Sequence, residues 1–452
     1  MPVVLYPYIP ETITVHLGAP DEEAENVTLP FSDYIKNVAS SEIYPTWPES
    51  ALRANIYAIV TFALNRIYTE WYRSQGHPFD VTSLTQYDQA FVKDRDIFEN
   101  ISLLVDELYN SYVVRQGSVE PLFTQFCNGT TSTCDGLSQW GTVTLAEEGN
   151  GPYQILQYYY GDDINIVTNV PEQPFTQSYP GTPLKLGDAG NEVKLVQNWL
   201  NRISRNFPAL PVAVPADGIF RPSTEEAVRA FQELFYLPVT GQVDQATWYR
   251  LKRYYTAVKQ LGELTSEGIS VAEATLLFPG ELALGQQGDI VRVAQYYLNV
   301  LAIFNPQLQL PPLDGQFGEE TKAAVESFQS FYGLPVTGII DRETWDNMVR
   351  IYGNILEGLP PNFYGVKAKL YPGYFLSEGM ANQDVVDLQT YLSVIGDRMP
   401  QFPSLVVDGY FGPDTRDAVY TFQDAYGLPV NGAVGPVTWN EIAMLYDSLV
   451  AP

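Results

Sequence analysis

One pattern recurs three times in this chain of 452 residues. It reads Asp-Gly-x-Phe, then Thr, then Ala-Val-x-x-Phe-Gln, then Leu-Pro-Val-x-Gly, then Thr-Trp. The copies start at Asp217, Asp314 and Asp408, 97 and 94 residues apart. Trp248, Trp345 and Trp439 keep the same spacings, as do Phe231, Phe328 and Phe422. A repeat at this interval is one supersecondary unit copied, so the second half of the chain is an array of small modules.

Each copy reads as three helices. In the first, Val193, Val196, Leu200 and Ile203 fall on one face of a helix. Gln197, Gln295 and Gln389 mark the same point in the three first helices. A Pro-rich loop leads to the Asp-Gly turn, where glycine tolerates positive φ. Thr224, Thr321 and Thr415 precede the second helix and read as N-caps. Leu-Pro-Val-x-Gly breaks that helix, because proline cannot continue it and glycine suits the turn. Thr-Trp then opens a third helix. Phe231, Trp248 and their equivalents have the spacing of core residues. Asp217, Asp314 and Asp408 are turn-formers or sugar contacts.

These segments resemble the peptidoglycan-binding domains of bacterial cell-wall hydrolases. The resemblance rests on Asp217-Gly218-Ile219-Phe220, Ala227 to Gln232 and Leu237 to Gly241, with their counterparts. It implies three all-α three-helix-bundle modules, at 184–261, 283–355 and 373–450, with peptidoglycan as partner. In that reading Asp217, Asp314 and Asp408 are the candidate glycan contacts. Arg221 departs from the pattern, standing where the other copies have Gly318 and Gly412. The segment 171–183 is Pro/Gly-rich and reads as the linker ahead of the first module; Gly262 to Leu284 and Leu356 to Tyr374 read as those between modules.

Charge narrows the partners. With 53 acidic against 25 basic residues, the net charge is −28. Phosphate recognition needs clustered Lys and Arg, so nucleic acid and anionic membrane are poor partners. A polymer held by this chain is gripped by hydrogen bonds and stacking, for which 31 tyrosines offer flat faces with polar tips. Two histidines, His16 and His77, and two cysteines are too few for a zinc-hydrolase ligand set, so neither metal nor cofactor is expected. Cys127 and Cys134 are close enough to bridge, or are two buried thiols. No apolar run is long enough to span a bilayer. No secretion signal is visible at Met1-Pro2-Val3-Val4.

Residues 1–170 repeat nothing and read as an α+β domain. Ile13 to Leu17 alternates like a strand, with Asn26 to Phe31 as its partner. Ser32 to Ser41 reads as a short helix capped near Ser32 or Asp33. Pro48 launches a long helix through about Ser74, apolar all round and hence interior. Glu42 is then expected on a loop beside the end of a buried helix, among Ile43, Tyr44 and Trp47. A carboxyl in apolar surroundings holds its proton to higher pH, as a general acid must. Read from these residues alone, Glu42 is such an acid or a capping, solvated glutamate.

Two stretches of this domain resemble the sporulation stage II protein D family. One runs from Asp33 to Glu42 and on through Trp47-Pro48-Glu49-Ser50-Ala51-Leu52-Arg53-Ala54. The other is Leu137-Ser138-Gln139-Trp140-Gly141-Thr142, continuing through Ala146 to Gly149 and Ile155 to Tyr160. The resemblance implies a lytic transglycosylase with Glu42 as general acid and base. Arg53 stands where the family often has Lys, as a charge-steadying group or a surface residue. Ser138 and Gln139 are candidate sugar hydrogen-bonders, Trp140 is a candidate stacking face, and Trp47 is a candidate substrate-binding residue. The Cys/His motif that some members carry after the long helix has no counterpart in Phe79 to Asp88. The expected location is the cell wall or a spore layer, by a route the residues do not reveal, with residence in the cytoplasm until release as the alternative. A non-catalytic wall- or spore-layer-binding protein, or a phage-like wall-targeting component, is the alternative function.

Overall fold

The computed structural model describes residues 7–450 except 116–117, 162, 212–215, 270–272, 275–276, 359–367, 370–375, 429 and 431. Most of the expected linker from Leu356 to Tyr374, and part of the third copy's Leu-Pro-Val segment, lie outside the described residues. The chain divides into two compact units, Val3–Ile269 and Ser270–Pro452. The first holds an α+β domain and one helical module; the second holds two further modules.

The α+β domain starts with β1 (Ile9–Pro10), β2 (Thr12–His16) and β3 (Asn26–Pro30). Strands β2 and β3 pair antiparallel with Ile13 opposite Leu29, as the alternation predicts. Two helices follow, α1 (Phe31–Glu42) and α2 (Glu49–Tyr68). Helix α2 is buried over most of its length, and Leu52, Ile56, Ile59, Val60 and Ala63 join the main core with Ile35 and Val38 of α1. It ends six residues before the expected Ser74. The apolar pattern runs on through Tyr72, but Glu70 adopts a left-handed φ of +48° and breaks the helix. A single 3₁₀ turn, Arg73–Gln75, follows.

Strand β4 (Val81–Thr82) adds to β2 in parallel. Next come α3 (Glu99–Leu108), β5 (Tyr112–Arg115), β6 (Phe126–Cys127), β7 (Leu137–Ser138), α4 (Gln139–Glu147), α5 (Pro152–Tyr160), β8 (Ile164–Val167) and β9 (Glu172–Gln173). Strands β5 and β8 pair antiparallel, and β6 and β7 in parallel. Cys127 and Cys134 form a disulfide, which closes the loop between β6 and β7.

The modules are helical, as the repeat predicts. The first is α6 (Asn191–Ser204), α7 (Pro222–Leu234) and α8 (Gln245–Val258). The second is α9 (Asp289–Phe304), α10 (Glu319–Phe331) and α11 (Arg342–Gly358). The third is α12 (Gln383–Arg398), α13 (Pro413–Ala425) and α14 (Pro436–Val450). The repeated Trp and Phe side chains are at most 1% exposed, and burying each phenylalanine contributes about 2 kcal/mol. The repeated threonines are not N-caps. Arg221, Gly318 and Gly412 hold that position, and each Thr sits in the first turn with its side chain buried. There its hydroxyl accepts from the repeated glutamine of the first helix.

Candidate active site and wall-binding modules

The structure puts Glu42 on the last turn of α1, not on the following loop. The loop 43–48 is tied to α3, where Asn100 donates to the Pro45 carbonyl at 2.7 Å. Both carboxylate oxygens of Glu42 have donors. Oε1 accepts from the Ala90 backbone N–H at 2.8 Å, and Oε2 accepts from Gln139 Nε2 at 3.0 Å. Gln139 is 97 residues away in sequence, so only the fold brings these two groups together.

Each donor is itself held. The chain on both sides of Ala90 is pinned to the core. Gln89 donates to the Ile59 carbonyl and accepts from the Tyr34 hydroxyl. Asn37 exchanges two hydrogen bonds with the backbone of Val92. Just ahead, Asp88 pairs with Arg66 at 2.8 Å and accepts from Tyr72 and Thr82, all within the core. Burial and the neighbouring Asp88 carboxylate push the Tyr72 phenol well up. The stretch from Phe79 to Asp88 thus leads into a buried polar network that fixes a backbone donor.

Gln139 opens α4 and is 2% exposed. Its carbonyl accepts from Thr142 Oγ1, which in turn accepts from Asn55 Nδ2 of α2. Ser138 is the N-cap of α4, its hydroxyl accepting from the Gly141 N–H at 3.0 Å. The disulfide loop packs against this corner: the Trp140 backbone N–H donates to the Asn128 carbonyl at 3.2 Å. Gly129, at φ +87°, lies so close that a Cβ there would meet Ser138 Oγ at 1.9 Å.

Three aromatic rings lie beside the glutamate. Trp47 and Trp140 meet edge to face at 4.9 Å, and Tyr44 reaches both within 6 Å. Trp47 is buried, whereas Tyr44 is 57% and Trp140 40% exposed. This is an open aromatic surface next to a carboxyl, suited to stack on a sugar ring. Trp47 and Trp140 stand out in the sequence, Tyr44 only as an apolar neighbour of Glu42, and Ala90, which presents a main-chain group, carries no signal there.

Arg53 is drawn elsewhere. Its guanidinium pairs with Glu49 at 2.7 Å and Glu107 at 2.6 Å. Among the described residues no Lys or Arg pairs with Glu42. The Glu42 carboxyl is thus held by neutral donors alone among the described residues.

In the modules the repeated aspartates close a common clamp. Gln197, Gln295 and Gln389 each accept the N–H of the turn glycine through Oε1, at 2.8 Å in all three. Their Nε2 groups donate to Asp217, Asp314 and Asp408. Each Asp also accepts from the N–H two residues on. The turn glycines take φ of +77°, +70° and +75°, which a side chain resists. Burial raises the Asp217 carboxyl, but the Ile219 N–H and the Arg221 guanidinium outweigh it and hold Asp217 below its ordinary value.

Comparison with known proteins agrees with this division. A model of the stage II sporulation protein family matches residues 21–109, and a model of the peptidoglycan binding domain matches 189–251, 287–348 and 381–442. The chain carries one stage II sporulation protein domain and three peptidoglycan-binding-type domains. It is 41% identical over 81 residues to the zinc D-Ala-D-Ala carboxypeptidase of Streptomyces albus G, covering 17% of this chain and 29% of that one. It is 30% identical over 129 residues to the N-acetylmuramoyl-L-alanine amidase CwlM of Mycobacterium tuberculosis, covering 28% of each. It is 27% identical over 172 residues to the amidase CwlL of Bacillus licheniformis, covering 36% and 44%. The chain spans less than half the length of these three relatives.

Proposed function

We propose that this protein binds peptidoglycan through its modules and cleaves the glycan strands as a metal-independent lytic transglycosylase. The observation that carries the reading is Glu42, held by two fixed donors beside an exposed aromatic surface, in a domain of the stage II sporulation protein type. The protonated Glu42 gives its proton to the glycosidic oxygen between N-acetylmuramic acid and N-acetylglucosamine. That C–O bond breaks as an oxocarbenium-like centre develops. The muramic 6-hydroxyl closes on the anomeric carbon and returns its proton to the carboxylate. The product is a 1,6-anhydro end, and no water is consumed. Gln139 and the Ala90 N–H keep the carboxylate oriented between the two transfers. Tyr44 and Trp140 offer the sugar a stacking face.

A second reading has its own support. Both oxygens of Glu42 are already engaged, and Arg53 is committed to Glu49 and Glu107, as in a domain that grips glycan without cutting it. Sacculi separate the two. The catalytic reading predicts that wild-type protein pellets with sacculi and releases fragments whose muramic ends resist borohydride reduction. Pelleting without such release supports the binding protein. Failure to pellet contradicts both.

A further inference from the structure

Within the unit Val3–Ile269, buried polar groups pin the first module and the segment after it to the α+β domain. Asn65 of α2 donates to the carbonyls of Pro121 and Leu261. Arg115 donates to the Leu264 carbonyl at 2.9 Å. Glu70, 3% exposed, takes the Lys252 ammonium at 2.5 Å and the backbone N–H of Ser178 at 3.1 Å. Glu120 accepts from the Ile269 N–H at 2.5 Å and from Ser266.

Between these pins a cleft of about 220 Å³ stays open. Trp71, Ser74 and Gln75 line one wall, and Arg253, Gln260 and Glu263 line the other. Gly262 lies against the indole edge, where a Cβ would stand 3.1 Å from the ring. Arg66 covers the Trp71 ring at 4.6 Å and buttresses it from the core. Arg253 is exposed and its guanidinium has no partner among the described residues, in a chain where acids outnumber bases two to one. The Glu263 carboxylate is likewise without an ion pair. A preformed recess with one free cation, one free anion, amides and an aromatic wall is complementary to a zwitterion. Its volume is below that of pockets for drug-sized ligands, which suits the one or two end residues of a short peptide rather than an extended glycan.

We propose that this cleft binds a short peptide carrying a carboxylate and a free amino group, as the stem peptides of peptidoglycan do. The carboxylate sits on Arg253, the ammonium on Glu263, and the peptide amides meet Gln75 and Gln260. The ligand class rests on the wall-binding reading; the cleft itself does not.

The test uses the full chain labelled with 5-fluorotryptophan, in which Trp71→Phe identifies the Trp71 resonance. The soluble tripeptide L-Ala-γ-D-Glu-L-Lys is titrated, with chitotriose as the sugar control. The tripeptide is expected to shift the Trp71 signal saturably. Arg253→Ala is expected to weaken the effect by roughly tenfold or more. Gly262→Leu, which fills the recess, should abolish it. A silent Trp71 signal, equal binding by Arg253→Ala, or a shift with chitotriose overturns the proposal. If the same protein still pellets with sacculi, only the cleft assignment falls; if it does not, the wall reading falls too.

Discussion

Glu42 and Gln139 form the contact on which the proposed chemistry depends. Replacing Glu42 by Gln keeps the shape and removes the proposed proton donor, so strand cleavage should fall by about 10²-fold or more while wall pelleting persists. Replacing Gln139 by Leu should lower the cleavage rate more than binding, read as kcat against KM on soluble strands. At this scale much was legible. A glutamate followed by Ile-Tyr-Pro-Thr-Trp is a distinctive local signal, and Gln139-Trp140 is another. Their juxtaposition was not legible, because it depends on α2 and α4 packing through Asn55 and Thr142. Ala90 acts through its backbone, which leaves no residue-type signature. The pairing of Arg53 with Glu107 was not legible, since the two lie 54 residues apart.

At the scale of elements, the repeat predicted the helices and the core, and missed how the turns are held. Gln329 shows why. Its Nε2 donates to Thr337, the Ile339 carbonyl and Thr344, and its Oε1 accepts from the N–H groups of Thr337 and Gly338. A single buried amide thus fixes the whole Leu-Pro-Val-Thr-Gly loop. Gln329→Leu strands these buried partners and should destabilise the second module by about 3 kcal/mol, visible as a lower transition in calorimetry. The threonines were mistaken for caps because a helix start and the first turn share the same residue preferences. The end of α2 was misplaced because a left-handed Glu70 cannot be seen in an apolar pattern. The disulfide closes a loop of a few residues, and its removal by Cys127→Ser with Cys134→Ser should cost about 2 kcal/mol. Loosening the corner under Gln139 and Trp140 should also slow cleavage.

At the scale of the whole molecule, Glu120 gives the first unit a pH dependence. Burial, the largest influence, pushes its carboxyl up to about 7, against the Ile269 N–H, which pulls it down. Its folded value lies above its unfolded one. Its contribution to stability is therefore complete below about pH 4.5 and lost as pH rises through about 7. The unit's Tm should fall over that window, by on the order of 3 kcal/mol of stability, and Glu120→Gln should flatten the profile. A chain ending at Ile269 should keep strand cleavage but lose wall retention by a factor of about 10² or more, because multivalency is gone.

The most direct test digests peptide-stripped glycan strands and weighs the products by mass spectrometry. The account predicts 1,6-anhydro-muramic ends with wild-type protein and none with Glu42→Gln. Products ending in reducing sugars, or anhydro ends formed equally by both proteins, would contradict it.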